Sequence, residues 1–287
     1  MLIKNIKAFS LVELLVVISI IALLLSVMIP VLGAARSQGH TAVCENNVRQ
    51  LFIANSGYAI ENNGFYVLAA EDIWDKNLHR WHGLRTDINK AFDPLKGPLK
   101  SYLSDGKVKR CPAFKEIDYL TTPGQNGLNF EAGCGGYGYN DEYIGGRLDS
   151  YGMSEGPKHS AKNCDIKDSS ETVMFTDTAY KQKLKNGAKV YIEYSFTHPP
   201  YWVWYVQMMN MISNGPSADA VGGRPDPVIH FRHGRFANVC WADGHITKET
   251  MDLSAPYITH AIMAKRQTVV MALGWFGPDD NTLFDLK

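Results

Sequence analysis

The sequence lacks an excess of charge of either sign. Its 287 residues include 29 Lys+Arg and 29 Asp+Glu, so the formal net charge is zero. Nucleic-acid-binding domains carry a basic patch, and disordered chains combine high net charge with few apolar residues. Because 45% of this chain is hydrophobic, the composition predicts a folded protein with a core. We expect no nucleic-acid partner.

Catalytic signatures are also missing. The sequence contains no HExxH zinc motif, no GxSxG nucleophile turn and no Walker-type nucleotide-binding loop. It has five cysteines without a CxxC pair, and their odd number leaves at least one thiol free. The cysteines are Cys44, Cys111, Cys134, Cys164 and Cys240. Their spacing does not determine which cysteines form disulfides. We expect the protein to have no cofactor and no enzymatic activity.

Only one long hydrophobic run is present. Residues 9–29 form a stretch of 21 residues in which Glu13 is the single charge. About 20 apolar residues cross a bilayer as a helix. Residues 1–8 carry Lys4 and Lys7 and no acidic residue, which places this leader in the cytoplasm. The pattern predicts a single-pass membrane protein whose C-terminal body is exported.

Glu13 is out of place in such a helix. A carboxylate at the bilayer centre costs roughly 2.5–3.5 kcal/mol, and less near the membrane surface. No basic residue follows before Arg36. Either Glu13 reaches the lipid headgroups, or another subunit supplies its partner.

Residues 8–13, Ala-Phe-Ser-Leu-Val-Glu, follow a short Lys-containing leader. This segment resembles the N-terminus of type IV prepilins and type II secretion pseudopilins. The resemblance implies that prepilin peptidase cuts between Ala8 and Phe9 and methylates the new amine. It also implies that Glu13 pairs with the N-terminal amine of a neighbouring subunit, and that Pro30 kinks the helix. Ala8 departs from the Gly that the family most often has before the cut.

A secretory signal peptide is the competing interpretation of the N-terminus. Gly33-Ala34-Ala35 supplies small residues for a cut that would leave Arg36 first. However, the apolar run exceeds the roughly 7–15 residues of a signal-peptide core, and it contains Glu13. The prepilin interpretation is therefore favoured.

Beyond the membrane segment, residues 30–63 have the pattern of an amphipathic continuation of the helix. Apolar or semi-apolar residues recur at helical spacing: Cys44, Val48, Leu51 and Tyr58. Asn62-Asn63-Gly64 predicts the helix end. Residues 64–287 are rich in strand-forming residues, with predicted strands at 171–176, 189–196 and 201–207. The expected class is α+β and pilin-like, a long N-terminal helix packed on an antiparallel sheet in an exported domain.

Residues 232–246 contain Asp243-Gly244 between two strand-like runs, which predicts a hairpin with a two-residue loop. That loop would place Trp241 opposite Ile246. His233 is followed by nine residues and then Asp243-Gly244. This spacing resembles the processing-associated H-X9-DG domain (residues 233–244) found behind prepilin-type N-termini. The resemblance implies placement and assembly rather than chemistry.

A metal site is the weaker interpretation of the C-terminal histidines. His233, Asp243 and His245, with Asp177, are residue types that hold zinc. Structural roles are simpler, because Asp side chains accept hydrogen bonds from turn amides. We therefore expect no bound metal.

The sequence thus predicts a non-enzymatic pilin-like or pseudopilin-like subunit of a type IV pilus or a type II secretion system. Its expected partners are prepilin peptidase, other subunits contacted through the N-terminal helix, and inner-membrane lipid. The expected location is the bacterial inner membrane, with a periplasmic or cell-surface body. One alternative is an anchored binding module that uses Trp74 and Trp81, near His79 and His82, for glycans. A metal-dependent hydrolase is a more distant alternative.

Overall fold

The computed structural model describes residues 11–114, 131–183, 189–211, 223–253 and 271–287. The leader 1–8 and the cleavage pair Ala8 and Phe9 lie outside the described residues. The chain divides into two compact units, Met1–Ala42 and Val43–Lys287.

The first helix, α1, extends from Leu11 to Glu61 and contains Pro30. In the first unit its side chains are exposed from residue 11 to residue 39. Within the described residues, α1 is the one helix long and apolar enough to cross a membrane, and none of its most apolar stretch is buried. An apolar helix surface of this length is stable in lipid or against other apolar helices, and not in water.

In the second unit, α1 is amphipathic as predicted. Cys44, Val48 and Leu51 are buried on one side of the helix. Asn47 on the same side donates to the Tyr137 hydroxyl at 3.1 Å. The helix ends at Glu61, and Gly64 adopts a left-handed conformation with φ +84°. This confirms the predicted stop, because glycine takes that conformation without strain.

The strands and shorter helices all lie in the second unit. The strands are β1 (His79–Arg80), β2 (Gly83–Leu84), β3 (Tyr137–Asn140), β4 (Val173–Asp177), β5 (Tyr180–Lys183), β6 (Lys189–Ile192), β7 (Phe196–Thr197), β8 (Ile229–His230), β9 (Phe236–Trp241), β10 (Ile246–Thr250) and β11 (Leu273–Gly274). The helices are α2 (Leu148–Glu155) and α3 (Val203–Met211), with 3-10 turns at Pro94–Lys96, Lys100–Tyr102, Gly156–Lys158 and Asn163–Asp165.

The central sheet has five strands in the order β10-β9-β4-β3-β7. Its pairs are antiparallel except β3–β7, which is parallel. The core lies where α1 covers this sheet, and the Asn47–Tyr137 bond is one link between the two layers. The α+β class with a long apolar N-terminal helix is therefore confirmed.

Two of the three predicted strands are confirmed, since 171–176 contains most of β4 and 189–196 contains β6 and the start of β7. The third is wrong, because α3 covers most of 201–207. Trp, Tyr and Val favour strands, but tertiary contacts override that preference. Here Glu142 Oε2 accepts a hydrogen bond from the Val203 N–H at 2.9 Å. It thereby satisfies one of the free donors at the start of a helix.

The predicted hairpin is present as β9–β10, but its register differs by one residue. Cys240 pairs with Ile246, whereas the prediction placed Trp241 there. The loop is longer than predicted, and it has Gly244 at φ +89° with its N–H bonded to the Trp241 carbonyl at 2.9 Å. A turn closed by a left-handed glycine is a common form of the longer hairpin loops. The ring of Trp241 consequently stacks on His245.

Candidate functional site

The N-terminal site lies on the exposed, apolar part of α1. Glu13 lies in the first turn of α1, and Pro30 lies further along the same helix. Glu13 is the single charged residue of the 9–29 stretch, so it interrupts an otherwise apolar surface.

At the base of the C-terminal hairpin, the buried ring of His233 faces Asp177, the last residue of β4. Its Nε2 lies 3.3 Å from Asp177 Oδ2 and 3.6 Å from Cys111 Sγ. The local chain makes this possible: Gly234 and Arg235 both have positive φ, and the His233 N–H bonds to the Phe236 carbonyl. This tight turn directs the ring inward just before β9 begins.

Arg232 completes the ionic part of this cluster. Its guanidinium donates to Asp177 Oδ1 at 2.6 Å and to the Gly136 carbonyl at 2.6 Å. The Asn238 N–H donates to Asp177 Oδ2 at 2.8 Å. Burial acts to raise the pKa of the Asp177 carboxyl, but Arg232 and His233 hold that pKa below its ordinary value. Asp177 is thus a buried carboxylate that joins β4, β9 and the segment before β3.

A disulfide between Cys44 and Cys111 lies beside this cluster, with the two Cα atoms 5.2 Å apart. It joins α1 to the segment before β3. Cys134, Cys164 and Cys240 carry free thiols. Cys44, Cys111 and His233 place one ligand atom each within 4.8 Å of one another. Since cysteine binds metals as the thiolate, the two disulfide sulfurs are not ligands in this form.

The other end of the H-X9-DG motif lies at the exposed tip of the hairpin. Asp243 Oδ1 accepts from the His245 N–H at 2.9 Å and contacts the His245 ring at 2.6 Å. The strand β9, Phe236–Trp241, separates this pair from His233, a distance of roughly 20 Å at about 3.3 Å per residue. The structure therefore brings Asp177 together with His233, and Asp243 with His245, but does not unite the four residues.

Gly244 packs directly against α1. A Cβ added at Gly244 would lie 2.4 Å from the Phe52 ring, too close for any side chain. Lys248 of β10 forms an ion pair of 2.8 Å with Glu45 of α1. The nine residues between His233 and Asp243 thus comprise the six residues of β9 and three turn residues. They join an anchor beside the disulfide to an anchor against Phe52. We call this β9–β10 arrangement the hairpin clamp, because it holds the Val43–Glu61 part of α1 at both ends of the strand pair.

The Trp and His residues of the 74–82 segment do not form one platform. Trp81 is fully buried, and its indole N–H donates to the Ser195 carbonyl at 2.7 Å. His82 is also buried, whereas Trp74 is exposed. His79 pairs with Asp72 at 2.9 Å. Trp81 is therefore unavailable to a ligand, and Trp74 belongs to a separate surface.

Several residues of the clamp carry no sequence signal. Arg232 is adjacent to His233, but its position in the sequence does not predict an ion pair with Asp177, 55 residues earlier. Phe52 and Gly244 are likewise paired only by the packing of helix on hairpin. The Gly of an Asp-Gly turn predicts positive φ, which was the one local signal available.

Comparison with known proteins supports the N-terminal interpretation. Residues 3–29 match a family model described as "Prokaryotic N-terminal methylation motif". A curated relative is the "Type IV wide pilus major component PilA4" of Thermus thermophilus. It is 40% identical over 62 residues, which are 22% of this chain and 47% of the relative. The chain thus spans about half the length of that relative. No solved structure matches this chain. Together the two matches support a prepilin-type protein.

Proposed function

We propose that this chain is a non-enzymatic, pilin-like or pseudopilin-like structural subunit that assembles through α1 in a type IV pilus or type II secretion system. The observation that carries the proposal is the methylation-motif match over residues 3–29. The same stretch leads into a helix whose apolar side chains are exposed. A filament core built from such helices would bury that surface.

Processing follows from the same motif. Prepilin peptidase removes residues 1–8, and the new N-terminus is the methylated amine of Phe9. Before assembly the subunit is held in the inner membrane by residues 9–29, with the leader in the cytoplasm and the 64–287 body outside. The lysines of the leader support this orientation, since cytoplasmic flanks are enriched in basic residues.

Glu13 supplies the specific contact in assembly. A carboxylate at the edge of the hydrocarbon region is retained when a cation neutralises it. The amine of Phe9 from a neighbouring subunit is a cation at that depth. The ion pair would also set the axial position of one helix against the next, because Glu13 and Phe9 are separated by a fixed four residues in the sequence.

Replacing Glu13 by Ala is expected to reduce the filament-incorporated fraction by more than about tenfold. A loss of ~1.4 kcal/mol per subunit contact is enough to lower the association constant tenfold. Membrane insertion is expected to remain, because an apolar residue in place of a carboxylate favours the bilayer. The measurement is the amount of the chain in sheared filaments and in membranes of the native host. Glu171→Ala, which removes an exposed carboxylate of the body, is the matched control and should assemble normally. Equal incorporation of the Glu13→Ala chain would contradict the proposal.

A membrane-anchored binding module is the second candidate function. An aromatic pocket in the body, described below, favours it, and the two functions are compatible in one subunit. The metal-dependent hydrolase has less support. Its proposed ligands occupy both ends of β9, and the His233 ring is already engaged with Asp177.

A further inference from the structure

The body contains a pocket of about 320 Å³ that plays no part in the hairpin clamp or in α1. This volume is at the small end of the range for ligand sites. The pocket opens where the 69–74 segment, the residues after β3 and the β7–α3 connection meet. Its aromatic and ionisable lining includes Trp74, Trp202, Trp204, Asp141, Glu142 and His198.

Several buried polar atoms in this pocket have no hydrogen-bond partner among the residues that the structure describes. The Glu142 side chain is only 1% exposed. Its Oε2 accepts from the Val203 N–H, whereas within the described part of the chain Oε1 makes no hydrogen bond and lies 3.8 Å from His198 Nδ1. His198 Nδ1 lies 3.2 Å from Asp141 Oδ1, yet neither atom makes a hydrogen bond of proper geometry. Unsatisfied buried groups are rare in folded proteins, because the loss of hydration is not offset by a hydrogen bond. A ligand that pairs with them would remove this cost.

The unpartnered atoms include both donors and acceptors. Burial raises the pKa of Glu142 to about 8, and the Asp141 carboxylate adds to the effect. Burial acts to lower the pKa of His198, but Asp141 and Glu142 hold it above its ordinary value. Asp141, Glu142 and His198 therefore interact electrostatically, and together they offer both hydrogen-bond donors and acceptors to a ligand. A ligand with several hydroxyls could pair with all three side chains, which a quaternary ammonium group cannot do.

The aromatic side chains give the pocket flat apolar walls. Trp202 lies against the His198 ring with centroids 5.0 Å apart. Trp74 is 64% exposed and Trp204 is 37% exposed, which is unusual for the largest apolar side chain. Indole faces combine with polar groups in sites for ligands that are themselves both apolar and polar. A sugar ring has this character, because its C–H groups form flat faces and its hydroxyls both donate and accept.

We propose that this pocket binds a neutral carbohydrate, with the sugar ring stacked on indole and its hydroxyls bonded to Asp141, Glu142 and His198. The proposal goes beyond assembly and does not depend on it. In an assembled subunit, the pocket would give the exported body a sugar-binding site.

The test uses the full chain in a polyoxyethylene detergent, which carries no sugar headgroup. Glucose, galactose, mannose and N-acetylglucosamine are titrated separately to high millimolar concentration, with choline as the cation probe. Tryptophan fluorescence and calorimetry report binding. We expect saturable binding of at least one sugar and none of choline. Trp202→Ala should weaken sugar binding by about tenfold or more, as expected for loss of an aromatic anchor.

Asp141→Ala tests the polar half of the pocket, because it removes an acceptor and leaves Glu142 Oε2 to accept from the Val203 N–H. It should also weaken sugar binding, whereas Phe65→Ala, at an exposed aromatic residue outside the pocket, should not. Far-ultraviolet circular dichroism shows that each variant is folded. Absence of binding by all four sugars overturns the proposal, as does binding of choline alone or sugar binding that is unchanged in Asp141→Ala. The Glu13→Ala chain should bind sugar normally, which separates failure of the pocket from failure of assembly.

Discussion

Replacing Asp177 by Asn is expected to lower the free energy of unfolding of the second unit by about 3–5 kcal/mol, because it leaves the buried Arg232 cation without its counter-charge. The side chain of Arg232 is 3% exposed and that of Asp177 is fully buried. The substitution also weakens the acceptor for the Asn238 N–H and the contact with His233. Those three contacts hold the base of the hairpin clamp.

Urea unfolding followed by tryptophan fluorescence measures this change in the detergent-solubilised full chain. Glu155→Gln is the matched control, since the Glu155–Lys158 pair is exposed and such pairs contribute less than about 1 kcal/mol. Combining Asp177→Asn with Arg232→Met should recover part of the loss, because the double variant leaves no unpaired buried charge. If the free energy of unfolding of the Asp177→Asn chain is within about 1 kcal/mol of that of the unchanged protein, the stabilising role of the Asp177–Arg232 pair is contradicted.

The pH dependence of the same variant gives a second measurement. The pKa of Asp177 is lowered in the folded state, so its stabilising contribution is fully present above the unfolded value of about 3.9 and is lost as pH falls through the folded value. The Asn variant has no such group. The difference in stability between the two proteins should therefore be constant above about pH 5 and should shrink below about pH 4.

Replacing Cys44 and Cys111 together by Ser is expected to cost about 4 kcal/mol. The disulfide closes a loop with a sequence separation of 67, and cross-linking a long loop removes much entropy from the unfolded chain. The loss falls on the second unit, where the bond ties α1 to the segment before β3. The free energy of unfolding in urea without reductant is the measurement.

Reductant supplies an independent comparison for the disulfide. It should lower the stability of the unchanged protein toward that of the double variant and leave the variant unaffected. Cys164→Ser, which removes an exposed free thiol, is the control and should change little. Equal stability of the double variant and the unchanged protein would contradict a structural disulfide at this position.

Local patterns predicted the longest helix and several strands of the fold. The long apolar run and a 3–4 residue repeat predicted α1, and Asp243-Gly244 predicted the β9–β10 hairpin. The errors occurred where distant residues decide the outcome. Val203 starts a helix because Glu142 caps its N–H, and the hairpin loop is longer than predicted because Gly244 closes a tight turn against Phe52. Neither contact is encoded in the residues next to the affected position.

The candidate site also has one part that the sequence predicts and another part that only the folded structure brings together. The motif around Glu13 is contiguous, so its residues could be recognised from their order alone. The hairpin clamp depends on Asp177, Arg232 and the Cys44–Cys111 bond, which meet only after the sheet forms. Five cysteines allow several pairings, and spacing does not choose among them. Trp202 belonged to a predicted strand, so its place in a pocket with His198 could not be anticipated.

The most direct test of the account is the intact mass and N-terminal sequence of the chain purified from its native membrane. A prepilin-type subunit begins at methylated Phe9, with residues 1–8 removed. The Glu13→Ala chain should carry the same N-terminus if its defect lies in assembly alone. A chain that begins at Arg36 would instead be a secreted protein released from a signal peptide. An uncut chain beginning at Met1 would be a permanent anchor, and either of these two results would contradict the central proposal.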